Sequence, residues 1–127
     1  MQHKRPSDHE LSKRITEAKE FLDNRLGIFA NLSKAVGELN DLAIGDSDEV
    51  WVLIRELLEE ISVKDYMGTR PPQKSYEKAI LGCELFAFYW WSPQLGKQMY
   101  IKFVLKNERY YYVSLHQSRS TEQKGEE

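Results

Sequence analysis

The stretches KQMYIKFVLK (Lys97–Lys106) and YYYVSLHQ (Tyr110–Gln117) decide the fold class of this chain. Both are rich in aromatic and β-branched residues, and apolar and polar side chains alternate along them, which is typical of strands with one buried face. Residues 107–109 separate the two, so they are predicted to pair as an antiparallel hairpin. A third stretch of the same kind, Glu84–Trp91, predicts a third strand.

The hydrophobic pattern chooses between two registers for this hairpin. A turn of two residues would mix apolar and polar side chains on both faces. A loop of three residues, through Arg109, instead pairs Ile101 with Leu115 and Phe103 with Val113, so that one face is apolar. Because a shift of one residue exchanges the two faces of a strand, the apolar pattern predicts the three-residue loop.

In this register the other face of the sheet carries polar and ionisable side chains. Tyr100 lies opposite His116, Lys102 lies opposite Ser114, and Tyr112 is expected on the same face. These residue types suit phosphate chemistry, because Lys binds phosphate, Tyr rings stack on bases and His exchanges a proton near neutral pH. The same types also occur on ordinary solvated sheet faces, and residue types alone leave that alternative open.

The first half of the chain has the apolar spacing of helices. Apolar residues recur every three or four positions over Glu10–Asp23 and Asn31–Leu42. A third helix is predicted after Asp46, which has the form of a capping box with Glu49. Its apolar stripe is the clearest and consists of Val50, Leu53, Ile54, Leu57, Leu58 and Ile61. A short extended segment is expected over residues 28–30.

Helices followed by strands predict an α+β fold, with the N-terminal helices packed on one face of a C-terminal antiparallel sheet. The face that the helices are expected to cover carries Met99, Ile101, Phe103 and Leu105. The 127 residues are expected to form a single domain, with residues 1–9 and 118–127 flexible. A long basic loop is predicted over residues 62–78.

Charge is divided unevenly along the chain. Residues 1–61 carry 8 Lys and Arg against 13 Asp and Glu, a net charge of −5, whereas residues 62–121 carry 9 against 4, a net charge of +5. Residues 122–127 add −2, and the net charge of the whole chain is −2. The strand half is therefore suited to an anionic partner, unless the two halves neutralise each other across their interface.

Several function classes are disfavoured by what the sequence lacks. No apolar run reaches the roughly 18–20 residues of a membrane span, and the polar N-terminus lacks the apolar core of a signal peptide. A single cysteine, Cys83, excludes an internal disulfide and fits a cytoplasmic compartment. There is no Gly-rich phosphate loop and no His or Cys pattern with metal-ligand spacing. We therefore expect a cytoplasmic protein with no cofactor, no metal and no membrane contact.

Short motifs in five places resemble one protein family. They are Lys4–Pro6, Lys64–Met67, Phe88–Tyr89, Gln98–Phe103 and Tyr112–His116. In these motifs the sequence resembles the MqsR-type toxins, bacterial mRNA interferases of the RelE superfamily, whose pattern includes a Y-x-K strand and a V-S-F-K end. His116 stands at the position of the family's terminal Lys. The resemblance implies a RelE-like fold.

The resemblance also implies a function, that of a toxin which cleaves mRNA without a metal ion. The ribose 2′-hydroxyl would attack the adjacent phosphate, and Lys102 and Arg119 would stabilise the charge on the phosphorane. Tyr100 would position the phosphate or donate a proton, and His116 would act as acid or base. The residues expected to bind the RNA are Arg119, Tyr112, Arg70 and Lys74. A cognate antitoxin protein would cover the basic face.

Two other functions stay open on the sequence. The aromatic strand half also suits a non-catalytic protein-interaction module. The polar face also suits a regulator that binds nucleic acid without cleaving it. Trp90 and Trp91 are adjacent, so one should point to each face of the sheet. One of the two is expected in the core, and the other either faces a partner or is covered by the basic loop.

Overall fold

Three α-helices make up the first half of the described chain. A computed structural model of the protein describes residues 6–45, 47–67, 75 and 77–118. The helices are α1, Asp8–Asp23; α2, Leu32–Asp41; and α3, Ser47–Glu60. Side chains cap two of them, because Ser7 Oγ accepts a hydrogen bond from the backbone of Glu10 and Asn31 Oδ1 accepts one from the backbone of Lys34. Asp46, the predicted cap of the third, lies outside the described residues.

Four strands form one mixed sheet in this part of the chain. They are β1, Gly27–Phe29; β2, Phe86–Ser92; β3, Lys97–Lys106; and β4, Arg109–Gln117, in the spatial order β1-β4-β3-β2. Strands β2, β3 and β4 are antiparallel, as predicted, and β3 has the predicted bounds. The expected extended segment is β1, which pairs with β4 in parallel. The predicted α+β fold is thus confirmed, with a parallel edge strand added to the sheet.

Strand β1 approaches helix α3 through a glycine. A Cβ atom on Gly27 would lie 2.7 Å from the Trp51 ring, which is closer than real Cβ contacts come. The centroid of the Trp51 ring lies 4.7 Å from that of Phe29 and 6.3 Å from that of Tyr110. The missing side chain at residue 27 therefore lets α3 pack directly on the edge of the sheet.

The β3–β4 hairpin contains both of the registers considered from the sequence, one near the turn and the other farther from it. Asn107 and Glu108 form a two-residue turn with φ angles of 53° and 59°, and Lys106 pairs with Arg109. The register then shifts by one residue between Lys102 and Phe103, where Val113 is the extra residue of a β-bulge. The prediction of a three-residue loop, with Phe103 opposite Val113, is wrong.

Beyond the bulge, the predicted register is correct. Ile101 pairs with Leu115, Tyr100 with His116, and Lys102 with Ser114. Between the turn and the bulge, the β4 side chains lie on the opposite face of the sheet from the one predicted. Phe103 pairs with Tyr112 there. Tyr112 is consequently 1% exposed in the helix-covered core, so its predicted place on the polar face, and with it a direct contact with RNA, is wrong.

The helices cover the expected face of the sheet. Met99, Ile101 and Phe103 are fully buried there, and Leu105 is partly buried against the same cluster. They pack against helix side chains that include Leu11, Ile15, Ala18, Ile54, Leu57 and Leu58. Each large side chain enclosed in this way contributes about 1.5–3 kcal/mol of transfer free energy, so this cluster is the main source of stability.

A smaller apolar cluster covers the turn-proximal half of the other face. It consists of Ile80, Leu85, Val104 and Val113. Ile80 comes from a short 3₁₀ helix, Lys78–Ile80, at the end of the predicted basic loop. The start of that loop forms a second 3₁₀ helix, Val63–Asp65, and Tyr66 then bridges to Phe88 on β2. Only the half of this face beyond the bulge is left for a polar site.

Candidate functional site

Polar side chains occupy the sheet face away from the helices, at the end beyond the bulge. This surface, called the polar face below, carries Tyr89, Trp91, Gln98, Tyr100, Lys102, Ser114 and His116. Tyr89, Tyr100 and His116 lie opposite one another on β2, β3 and β4 and form one row. Lys102 and Ser114 lie in the next row, toward the bulge. The residues that the sequence assigned to catalysis therefore meet on one surface.

Tyr100, His116 and Lys102 form one contact cluster on the polar face. The Tyr100 and His116 rings are stacked, with centroids 5.1 Å apart and planes inclined by 27°. The Lys102 ammonium lies over the Tyr100 ring, with Nζ 5.6 Å from its centroid, a cation–π arrangement. An imidazole, a phenol and a fixed positive charge are thus brought together, which is the set that phosphate binding and proton transfer require.

The orientation of the His116 ring is set by the backbone. His116 Nδ1 lies 2.9 Å from the carbonyl oxygen of Gln117. A carbonyl only accepts, so this bond requires the hydrogen on Nδ1, and in the neutral ring it leaves the lone pair on Nε2. His116 is 8% exposed, so little of the ring is open to water. The Gln117 carbonyl therefore fixes the tautomer of the neutral ring in a site that is largely enclosed.

A buried carboxylate anchors β4 directly before His116. Glu38, on α2, is 8% exposed, and its Oε1 accepts hydrogen bonds from the Tyr112 hydroxyl at 2.7 Å and the Leu115 N–H at 3.0 Å. Strand β1 pairs with β4 only as far as Tyr112, so Glu38 takes the place of a strand partner at Leu115. Burial, and then the bond to Glu38, raise the pKa of the Tyr112 hydroxyl far above its ordinary value, which keeps this hydroxyl a donor.

The predicted RNA-binding residues have two different outcomes. Tyr112 belongs to the core and supports β4 from beneath. Arg70, Lys74 and Arg119 lie outside the described residues, so their proposed contacts with RNA stay predictions. Lys102, which was assigned to the phosphorane, is half-buried beside Tyr100.

Two residues of the site were not assigned from the sequence, which left open whether Trp90 or Trp91 faces the core. Trp91 is 57% exposed on the polar face, and the core pattern of Phe86, Phe88 and Trp90 on β2 could have assigned it there. Glu38 was given no role from the sequence. Its position between the buried Ala35 and Leu39 on α2 was the available signal, although nothing local identifies its two donors.

Comparison with protein-family models and with curated proteins finds no match. Among the described residues, no group of three or more His, Cys, Asp or Glu side chains is placed to hold a metal ion. In the same part of the chain, no helix has the length and apolar character needed to cross a membrane. Function is therefore inferred from the polar face and from the five short motifs.

Proposed function

We propose that this chain is a metal-independent endoribonuclease, an mRNA interferase toxin similar to the MqsR and RelE proteins. The observation that carries the proposal is the stack of Tyr100 on His116 with the Lys102 ammonium beside it. These three residues belong to two of the motifs that carry the resemblance, Gln98–Phe103 and Tyr112–His116. A nuclease of this kind needs a proton acceptor, a positive charge and a polar group at one phosphate, and the polar face offers each.

The reaction follows from the roles of these side chains. Nε2 of His116 takes the proton of a ribose 2′-hydroxyl, and the oxygen attacks the adjacent phosphorus. The Lys102 ammonium stabilises the added negative charge on the phosphorane. The bond from phosphorus to the 5′-oxygen breaks, and that oxygen takes a proton from solvent or from Tyr100. The products are one fragment with a 2′,3′-cyclic phosphate and one with a 5′-hydroxyl.

The substrate requirement of this reaction gives its test. Purified protein is incubated, with EDTA present, with an unstructured RNA oligonucleotide and with the same oligonucleotide made of 2′-deoxy residues. We expect cleavage of the RNA alone, with 2′,3′-cyclic phosphate ends. Cleavage of the deoxy oligonucleotide, or 5′-phosphate ends, would contradict the mechanism. Absence of RNA cleavage, even with ribosomes and mRNA, would reject the nuclease and leave a protein that only binds.

An antitoxin that covers the polar face is part of the same proposal. The partner would be acidic or of mixed charge, because residues 62–121 carry a net charge of +5. Such charges act mainly on the rate of association. Lys102→Glu should slow the association and weaken its dependence on salt, and an unchanged rate would count against this interface. The cytoplasm is the proposed location, because it holds the mRNA.

A protein-interaction module is the second candidate, favoured by apolar side chains on the helical side. Leu32, Val36 and Val52 are exposed by 61%, 49% and 60%. A groove of about 120 Å³ lies between Phe29, Leu32, Val36, Leu39 and Ile44. The net charge of −5 over residues 1–61 favours an amphipathic helix with basic flanks as its occupant. Leu32→Asp should then abolish partner binding, whereas the nuclease proposal expects no role for Leu32.

A further inference from the structure

An exposed indole extends the polar face beyond the Tyr100–His116 stack. Trp91 is 57% exposed and is the most exposed of the described aromatic residues. It lies opposite Gln98 and two residues from Tyr89 on the same face of β2. Soluble proteins usually bury most of a tryptophan side chain. A tryptophan that is more than half exposed beside a polar cluster therefore indicates a ligand-binding surface.

The core fixes the direction in which Trp91 points. Its neighbour Trp90 is 3% exposed among the core residues, and its Nε1 donates a hydrogen bond to Glu60 Oε1 at 2.9 Å. Successive side chains of a strand point to opposite faces, so the anchored Trp90 holds Trp91 on the polar face. The Trp91 indole is therefore exposed because the strand that carries it is anchored by Trp90.

We infer that Trp91 is a stacking platform for an unpaired nucleobase, so that the polar face takes single-stranded nucleic acid and not a duplex. This inference rests on the proposed function and names its substrate class. A base in a duplex is covered on both sides, whereas a base of a single strand can lie flat on an aromatic ring. Strand spacing and rise place Trp91 on the order of 12 Å from His116, so it holds a base close to the cleaved phosphate without holding that phosphate itself.

The neighbours of Trp91 favour a nucleic acid over a protein as the ligand. Tyr89 and Tyr100 add further aromatic rings, and Lys102 supplies a positive charge for a phosphate. Alternating rings and cations are the arrangement by which single strands are bound without reading their sequence.

Binding of a labelled, unstructured 2′-O-methyl RNA oligonucleotide tests the inference, because this probe is not cleaved by attack of a 2′-hydroxyl. Trp91→Ala should raise its Kd by about five- to 150-fold, the range for loss of one stacked base. Trp91→Phe should retain most of the affinity, since a ring remains, whereas Trp91→Leu should behave as Trp91→Ala does. Val52→Ala, at an equally exposed apolar residue on α3, should leave Kd unchanged.

The outcomes separate this inference from the proposed nuclease. Equal affinity of the wild type and Trp91→Ala, or of Trp91→Leu and Trp91→Phe, would overturn the platform, as would tighter binding of the annealed duplex. Cleavage of RNA by the wild type, measured in parallel, would then still support the nuclease. Binding that depends on Trp91 without any cleavage would support the platform and reject the nuclease. A wild type that binds no oligonucleotide would overturn the platform and favour a protein ligand.

Discussion

Both faces of the sheet carry tyrosines, yet the two faces use them differently. On the helix-covered face Tyr110 and Tyr112 are buried, and burial raises the pKa of both hydroxyls far above the ordinary value. On the polar face Tyr100 is partly exposed and stacks on His116. On β4 the bulge at Val113 separates the two buried tyrosines from His116. Tyr112, before the bulge, thus belongs to the core, and His116, beyond it, belongs to the site.

The largest effect on stability is expected at Glu38, which connects α2 to β4. Glu38→Ala would leave the Tyr112 hydroxyl and the Leu115 N–H without their acceptor. Each buried unpaired donor costs about 1–3 kcal/mol, so we expect urea denaturation to show a loss of about 3 kcal/mol in the free energy of unfolding. Glu38→Gln keeps an oxygen in place of Oε1 and should lose less than half as much. Equal losses would contradict the role given to this oxygen.

The bulge can be tested by removing it. Deletion of Val113 would join the two registers into one regular ladder, with Tyr112 still facing the helices and His116 still opposite Tyr100. We expect a loss of about 2 kcal/mol in stability, the contribution of the buried valine. Nuclear Overhauser contacts between the Tyr100 and His116 rings should persist. Their disappearance in a folded variant would show that the bulge itself is needed to assemble the site.

The two buried tyrosines provide a matched pair within one core. Tyr112→Phe removes a donor to Glu38 and should cost about 1.5 kcal/mol in the free energy of unfolding. The Tyr110 hydroxyl has no hydrogen-bond partner among the described residues, so Tyr110→Phe should be neutral or slightly stabilising. Thermal or urea unfolding of both variants measures the difference. A larger loss for Tyr110→Phe than for Tyr112→Phe would reverse the comparison.

The smallest effect is expected at the turn, far from the polar face. Glu108 has a φ of 59°, a conformation that glycine adopts at no steric cost, so Glu108→Gly should add about 1 kcal/mol to the stability. RNA cleavage should be unchanged, since the turn lies at the other end of the hairpin. A change in cleavage would show that the two ends are not independent.

The sequence predicted the open end of the hairpin better than the turn. Ile101 and Leu115 belong to clear alternations, so their pairing followed from the apolar pattern. Tyr110–Val113 is apolar at every position, and a tyrosine suits either face, so no pattern could locate the bulge. The turn at 107–108 also lacks the Asn-Gly pair that marks such turns.

Long-range partners were beyond the reach of periodicity. Glu38 is 74 residues from Tyr112 in the sequence, and its buried bond depends on how α2 docks on β4. The helices, by contrast, were predicted close to their bounds, because their spacing and caps are local signals. The fold class was therefore predictable, whereas the support beneath the site required the tertiary structure.

The most direct test is cleavage of an unstructured RNA, in EDTA, by the wild type, His116→Ala and His116→Lys. A positioned acid or base is worth about 10²–10⁴ in rate, so His116→Ala should lose that factor while the protein stays folded. His116→Lys should recover part of the rate, because Lys also holds a proton and a charge at this position. Equal cleavage by the wild type and His116→Ala would contradict the account, and so would a wild type that cleaves no RNA under any of these conditions.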